Sequence, residues 1–118
     1  RIAAVLDAFD GPVVVDEAYV EFAAGPSLVD TMSGHANLIV LRTFSKAWGL
    51  AGARVGYLVA DPRVIDALDR IDLPYPLSAP AARAATIALD RAAEMEATVR
   101  RIVAERERLA GLLDDLGA

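Results

Sequence analysis

Three short apolar runs, each closed by a polar cluster or a breaker, constrain this chain more than any other feature. Pro12-Val13-Val14-Val15 ends in Asp16-Glu17-Ala18-Tyr19, residues 37–41 lead into Thr43-Phe44-Ser45-Lys46, and residues 54–60 stop at Asp61-Pro62. Runs this short and this rich in β-branched residues read as strands, and the valine run suits a strand buried on both faces of a parallel sheet. The remaining apolar residues recur at helical spacing. Residues 1–9 place Ile2, Val5, Leu6 and Phe9 on one helix face, ended by the breaker Asp10-Gly11-Pro12. A polar loop covers residues 23–34, with one helical turn over 27–30. Asp61 caps and Pro62 opens a helix running to about Ile71, with Val64, Ile65, Leu68 and Ile71 on one face. The prolines of residues 73–80 impose an extended segment. Residues 81–116 are helical with a break near Asp90. Met95, Val99, Ile102, Leu109, Leu113 and Leu116 form a stripe interrupted by Arg106, which favours a helix packed on a domain over a coiled coil. Strands interleaved with helices define an α/β sheet, in which ligands bind beyond the carboxyl ends of the strands.

Both polar clusters lie at such ends. Asp16 follows three valines, so its carboxylate is expected to be partly buried and to need a cation or several donors. Tyr19, three residues on, can reach the same ligand. Lys46 follows a buried strand among hydroxyls and glycines, and its amine suits a Schiff base followed by proton transfer. Arg54 carries a fork that matches a phosphate dianion, with Thr43 and Ser45 as further donors, while Gly49 and Gly52 let the backbone turn sharply. Taken singly, each has a plainer reading: Asp16 as a cap, Tyr19 as a half-buried aromatic, Ser45-Lys46 as a surface turn. Trp48 reads as packing, His35 as a solvated loop residue, and the charges of Arg100-Arg101 and residues 105–108 as a solvated helix face. No phosphate-binding Gly-x-x-x-x-Gly-Lys-Ser/Thr motif occurs.

Composition narrows the classes. With 118 residues the chain fits one domain at most. A net charge of −5 without a Lys/Arg cluster argues against nucleic acid. The absence of cysteine removes disulfide and thiolate-metal chemistry and is compatible with a reducing cytoplasm. One histidine leaves little for zinc, and neither a signal peptide nor a membrane-spanning stretch is evident. Arg1 starts inside a helical pattern, and the chain reads as a piece of a longer polypeptide.

Val15-Asp16-Glu17-Ala18-Tyr19-Val20-Glu21-Phe22, followed by Thr43-Phe44-Ser45-Lys46-Ala47-Trp48-Gly49-Leu50-Ala51-Gly52-Ala53-Arg54-Val55-Gly56-Tyr57, resembles the pyridoxal-phosphate aminotransferases of fold type I. Within them it is most similar to the histidinol-phosphate aminotransferases. The resemblance implies a three-layer, mostly parallel sheet in which residues 54–60 form an antiparallel strand. Residues 1–90 would belong to the cofactor-binding large domain, and residues 91–118 to the helix leading toward a C-terminal small domain. It implies that Asp16 pairs with the pyridine nitrogen and that Tyr19 hydrogen-bonds the ring hydroxyl. Lys46 would carry the cofactor as a Schiff base, and Ser45 and Arg54 would hold the phosphate with Thr43 in support. Tyr75 and the proline-rich segment would lie near the substrate. The implied reaction exchanges an amino donor with a 2-oxo acid, histidinol phosphate with 2-oxoglutarate in histidine biosynthesis, in a cytoplasmic homodimer. The ring-stacking aromatic and the substrate-carboxylate arginine of the family fall outside this chain, so the isolated chain is expected to be inactive, with unpaired apolar edges. The competing readings are an aromatic amino-acid aminotransferase, a related phospho-amino-acid decarboxylase, or a non-catalytic binding or structural module.

Overall fold

In the computed structural model, which describes residues 1–117, the three apolar runs form one sheet: β1 (Val13–Asp16), β2 (Leu38–Thr43) and β3 (Gly56–Val59), in the order β1-β2-β3. β1 pairs parallel with β2 from Val13 opposite Leu38 to Asp16 opposite Leu41. β3 pairs antiparallel, with Val40 opposite Val59 and Thr43 opposite Gly56, as the expectation for residues 54–60 required. A Cβ at Gly56 would lie 3.0 Å from the carbonyl oxygen of Arg42, so the absence of a side chain lets β3 approach the end of β2.

The central strand carries the core. Leu38 and Val40 are fully buried against Leu6 of α1 (Ile2–Ala8) and against Leu28, Val29 and Met32 of the short helical segment Leu28–Gly34. Burial at this depth stabilises the fold by about 1.5–3 kcal/mol per side chain. Asn37 donates from Nδ2 to the carbonyls of Phe9 (2.8 Å) and Leu6 (3.2 Å), which ties the end of α1 to the start of β2. The expectation of two-faced burial fails for β1. Val14 is 56% exposed, because no described element covers that face of β1.

The extended segment expected over residues 73–80 ends earlier: α3 (Ala79–Leu89) opens with Ser78 Oγ accepting from the Ala81 amide (3.3 Å), and Pro80 sits in the first turn, where an N–H has no helical partner to lose. The break at Asp90-Arg91 separates it from α4 (Ala92–Asp115), as expected. Of the α4 stripe only Val99 is buried; Ile102, Leu109, Leu113 and Leu116 stand about half exposed or more, although Arg106 Nη1 ties the helix to the Phe22 carbonyl (3.2 Å). The radius of gyration, 17.5 Å, exceeds the roughly 13.5 Å of a globular chain this long. Arg100–Glu96 and Arg108–Glu105 pair along its solvated side, as expected. His35 is more enclosed than a solvated loop residue, its Nδ1 3.7 Å from Asp7. No helix among the described residues is long and apolar enough to cross a membrane.

α2 (Pro62–Asp69) begins as predicted: Asp61 Oδ1 accepts from both the amide and Nε of Arg63, each at 2.9 Å. The side-chain bond from Arg63, then its amide bond, hold the Asp61 carboxyl below its ordinary value. A lowered folded-state pKa stabilises above the unfolded value and is lost as pH falls through the folded one. Asp61→Ala is therefore expected to lower the thermal unfolding midpoint at neutral pH, Asp61→Asn to lower it less, and the charge-dependent part to vanish in acid. Melting curves against pH check this.

Candidate active site

Strand direction gathers the predicted residues. β1 and β2 are parallel and share a carboxyl-terminal edge; β3 is antiparallel, so its start lies on that same edge. Asp16 and Tyr19 follow β1, Thr43 closes β2 with Ser45 and Lys46 beyond it, and Arg54 precedes β3. All six therefore converge on one rim.

The loop after β2 is built from its core side. Phe44 is buried with Val55, Ala81 and Ala85, and its ring centroid lies 5.3 Å from that of Trp48, which confirms Trp48 as packing. Backbone bonds from Gly49 to the Lys46 carbonyl (3.1 Å) and from Leu50 to the Phe44 carbonyl (2.9 Å) fold the loop back, and Gly49 takes φ +68°, where glycine is favoured. Thr43 Oγ1 accepts from the Ser45 amide (3.0 Å) and donates to the Val55 carbonyl (3.4 Å), which fixes the chain entering Lys46. Lys46 Nζ stands 5.2 Å from the Tyr19 ring centroid, within range of a cation–π contact, so the turn after β1 and the loop after β2 meet. Arg54 adopts φ +55° and donates from Nη1 to the Ala51 carbonyl (3.2 Å). Tyr75, at φ +62° between two prolines, is the other non-glycine residue in the left-handed region among the described residues, and it is 95% exposed. Side chains in that region are uncommon and cluster at functional sites.

The expected partial burial of Asp16 is not found. Its carboxylate is exposed, and Oδ1 accepts the Ala18 amide (2.9 Å). Lys46 is exposed as well, and among the described residues neither these two nor Arg54 has an ion-pair partner. The buried carboxylate is the next one, Glu17, 8% exposed. Its Oε2 accepts from Arg42 Nε (2.9 Å) and Ser27 Oγ (2.8 Å), and its Oε1 from the Leu28 amide (2.7 Å). Strand alternation explains the exchange: Glu17 continues the β1 ladder beside Arg42, on the face opposite Asp16. Sequence reasoning missed Glu17 and Arg42 because their pairing appears only once the parallel register is known.

This rim offers a carboxylate, a phenol, a primary amine, two hydroxyls and a guanidinium without internal neutralisation of its charges. Such a set suits a planar ligand with a cationic ring atom, a carbonyl carbon and an anionic tail. The whole chain, residues 1–118, matches the family described as aminotransferase class I and II, and the chain belongs to that family. Among its relatives, it is 50% identical to the histidinol-phosphate aminotransferase of Nocardia farcinica over 113 residues, 95% of this chain and 29% of that protein. It is 43% identical to the aromatic amino acid aminotransferase of Mycobacterium sp. (strain KMS), across 89% of this chain and 30% of that protein. The crystal structure of histidinol-phosphate aminotransferase from Sinorhizobium meliloti in complex with pyridoxal-5'-phosphate matches with a TM-score of 0.87 at 33% identity, covering 99% of this chain and 33% of that one. The fold is that of the fold type I transferases, and the chain spans less than a third of the length of the curated relatives cited here.

Proposed function

We propose that the protein carrying this chain is a pyridoxal-phosphate-dependent aminotransferase whose substrates are histidinol phosphate and 2-oxoglutarate, acting in histidine biosynthesis. The observation that carries the reading is the convergence of six chemically complementary residues on one sheet edge, with Lys46 Nζ set 5.2 Å from the Tyr19 ring. When bound, the cofactor supplies an electrophilic carbonyl carbon and a ring that accepts electrons. Asp16 would hold the proton of its ring nitrogen, Tyr19 would donate to its ring hydroxyl, and Ser45, Thr43 and Arg54 would bind its phosphate. Lys46 would hold the carbonyl carbon through its amine, and Nζ would be the group that moves a proton at the substrate carbon bearing nitrogen. A carboxylate, a phenol, a primary amine, two hydroxyls and a guanidinium are the kinds of group that the cofactor's ring nitrogen, ring hydroxyl, carbonyl carbon and phosphate call for.

Residues 1–90 are read as part of the cofactor-binding domain and residues 91–118 as the helix leading to a second domain, in a cytoplasmic homodimer. The aromatic amino acid aminotransferase relative supports a second reading with the same cofactor residues and an aromatic amino acid as donor. Borohydride reduction of the complete protein incubated with pyridoxal phosphate, followed by peptide mass spectrometry, is expected to find a pyridoxyl group on Lys46. An unmodified Lys46 would overturn the enzyme reading. Turnover of histidinol phosphate at least about tenfold above that of phenylalanine, roughly the discrimination of one well-placed specificity contact, separates the two donors.

A further inference from the structure

Tyr19 stands 60% exposed, its ring 6.3 Å from that of Phe22 between centroids and 5.2 Å from Lys46 Nζ. Its position must therefore be set largely through its backbone. That backbone is one tight turn, closed by bonds from Val20 to the Glu17 carbonyl (3.1 Å) and from Phe22 to the Tyr19 carbonyl (3.0 Å). Tyr19 lies midway between Glu17 and Glu21, and both carboxylates meet one side chain, Arg42: Nε to Glu17 at 2.9 Å and Nη1 to Glu21 at 3.4 Å. The third arm, Nη2, donates to Ser27 Oγ (2.7 Å), which itself donates to Glu17. Arg42 thus grips both ends of the turn that carries Tyr19, while its own backbone continues into Thr43 and the Lys46 loop. Its side chain is 15% exposed and that of Glu21 17%, so the grip is shielded from water and resists screening.

A buried ion pair is weak evidence for stability, because well-packed apolar residues often serve as well. A fork reaching three partners does what packing cannot: it fixes the relative position of two backbone segments. We propose that Arg42, together with Glu17 and Glu21, is a positioning device that sets the placement of Tyr19 relative to Lys46, and hence the affinity and ionisation of the bound cofactor. The inference rests on the proposed function, since it concerns the same site.

Arg42→Lys keeps the positive charge but loses the fork; Glu21→Gln removes the charge of the outer arm alone and leaves the Glu17–Arg42 pair intact. Both are made in the complete protein, with Arg108→Lys, at an exposed helix pair, as control. Three quantities are measured: the dissociation constant of pyridoxal phosphate, the pH midpoint of its visible absorbance on the protein, and the unfolding temperature without cofactor. For Arg42→Lys the constant is expected to rise about tenfold to a hundredfold, the scale of a misplaced supporting contact, and the pH midpoint to move. Glu21→Gln is expected to shift both in the same direction by less, and the control neither. A folded Arg42→Lys variant with only a lower unfolding temperature, or with nothing changed, would overturn the proposal. Should Arg42→Lys not fold, Glu21→Gln decides alone: a shifted midpoint supports the grip and an unchanged one refutes it. A wild-type protein whose Lys46 takes no cofactor refutes the functional reading itself, a result distinct from wild-type loading with unaltered variants.

Discussion

Replacing Lys46 by alanine in the complete protein is expected to lower transamination by about 10⁴-fold, the upper range for removing a positioned proton carrier. Lys46 is exposed and lies beyond the last residue of β2, so its truncation opens no cavity, and the loop is held from its other side by Phe44, Trp48 and the Thr43 hydroxyl. Unfolding temperature should therefore barely change. The contacts proposed for Asp16, Tyr19, Ser45 and Arg54 would also remain, so pyridoxal phosphate should still bind reversibly while borohydride no longer fixes it to the chain. A small primary amine added to the solution should restore part of the rate, because it replaces a base without needing to replace a fold. Wild-type turnover in the alanine variant would remove Lys46 from the chemistry.

The strands and their order relative to the helices were legible from periodicity, whereas the antiparallel sense of β3 was legible through the family resemblance alone. The helix starts at Asp61 and the break at Asp90 were legible because capping and propensity act locally. Burial was not. The valine run of β1 has the composition of a two-faced strand, yet Val14 faces no described element, and the stripe of α4 loses its cover beyond Val99. Composition records what a segment can bury, and only tertiary context decides whether something covers it. The same limit exchanged the roles of two adjacent acids. The sequence places Asp16 and Glu17 at the end of one strand, but a one-residue step changes the face, so the buried partner of Arg42 is Glu17 and the acid left exposed on the other face is Asp16.

That separation makes Asp16→Asn a sharp test. In this chain the visible bond of the carboxylate is the one its Oδ1 accepts from the Ala18 amide, and an asparagine oxygen can accept the same bond. If Asp16 only shaped the turn, the substitution would be nearly silent. If its charge instead holds the proton on the cofactor ring, asparagine removes the negative charge with the turn intact, and the ring loses its capacity to take up electrons as the substrate carbon is deprotonated. The expected result is a fall in kcat of about 10²- to 10³-fold, the scale of losing one preorganised electrostatic contact, with an unfolding temperature close to wild type. Asp16→Glu should recover little, since the longer side chain keeps the charge but moves it by about one carbon–carbon bond, and a misplacement near 1 Å costs about 10²-fold. Kinetics of the three proteins beside their melting curves separate a turn former from a charge that works on the ring.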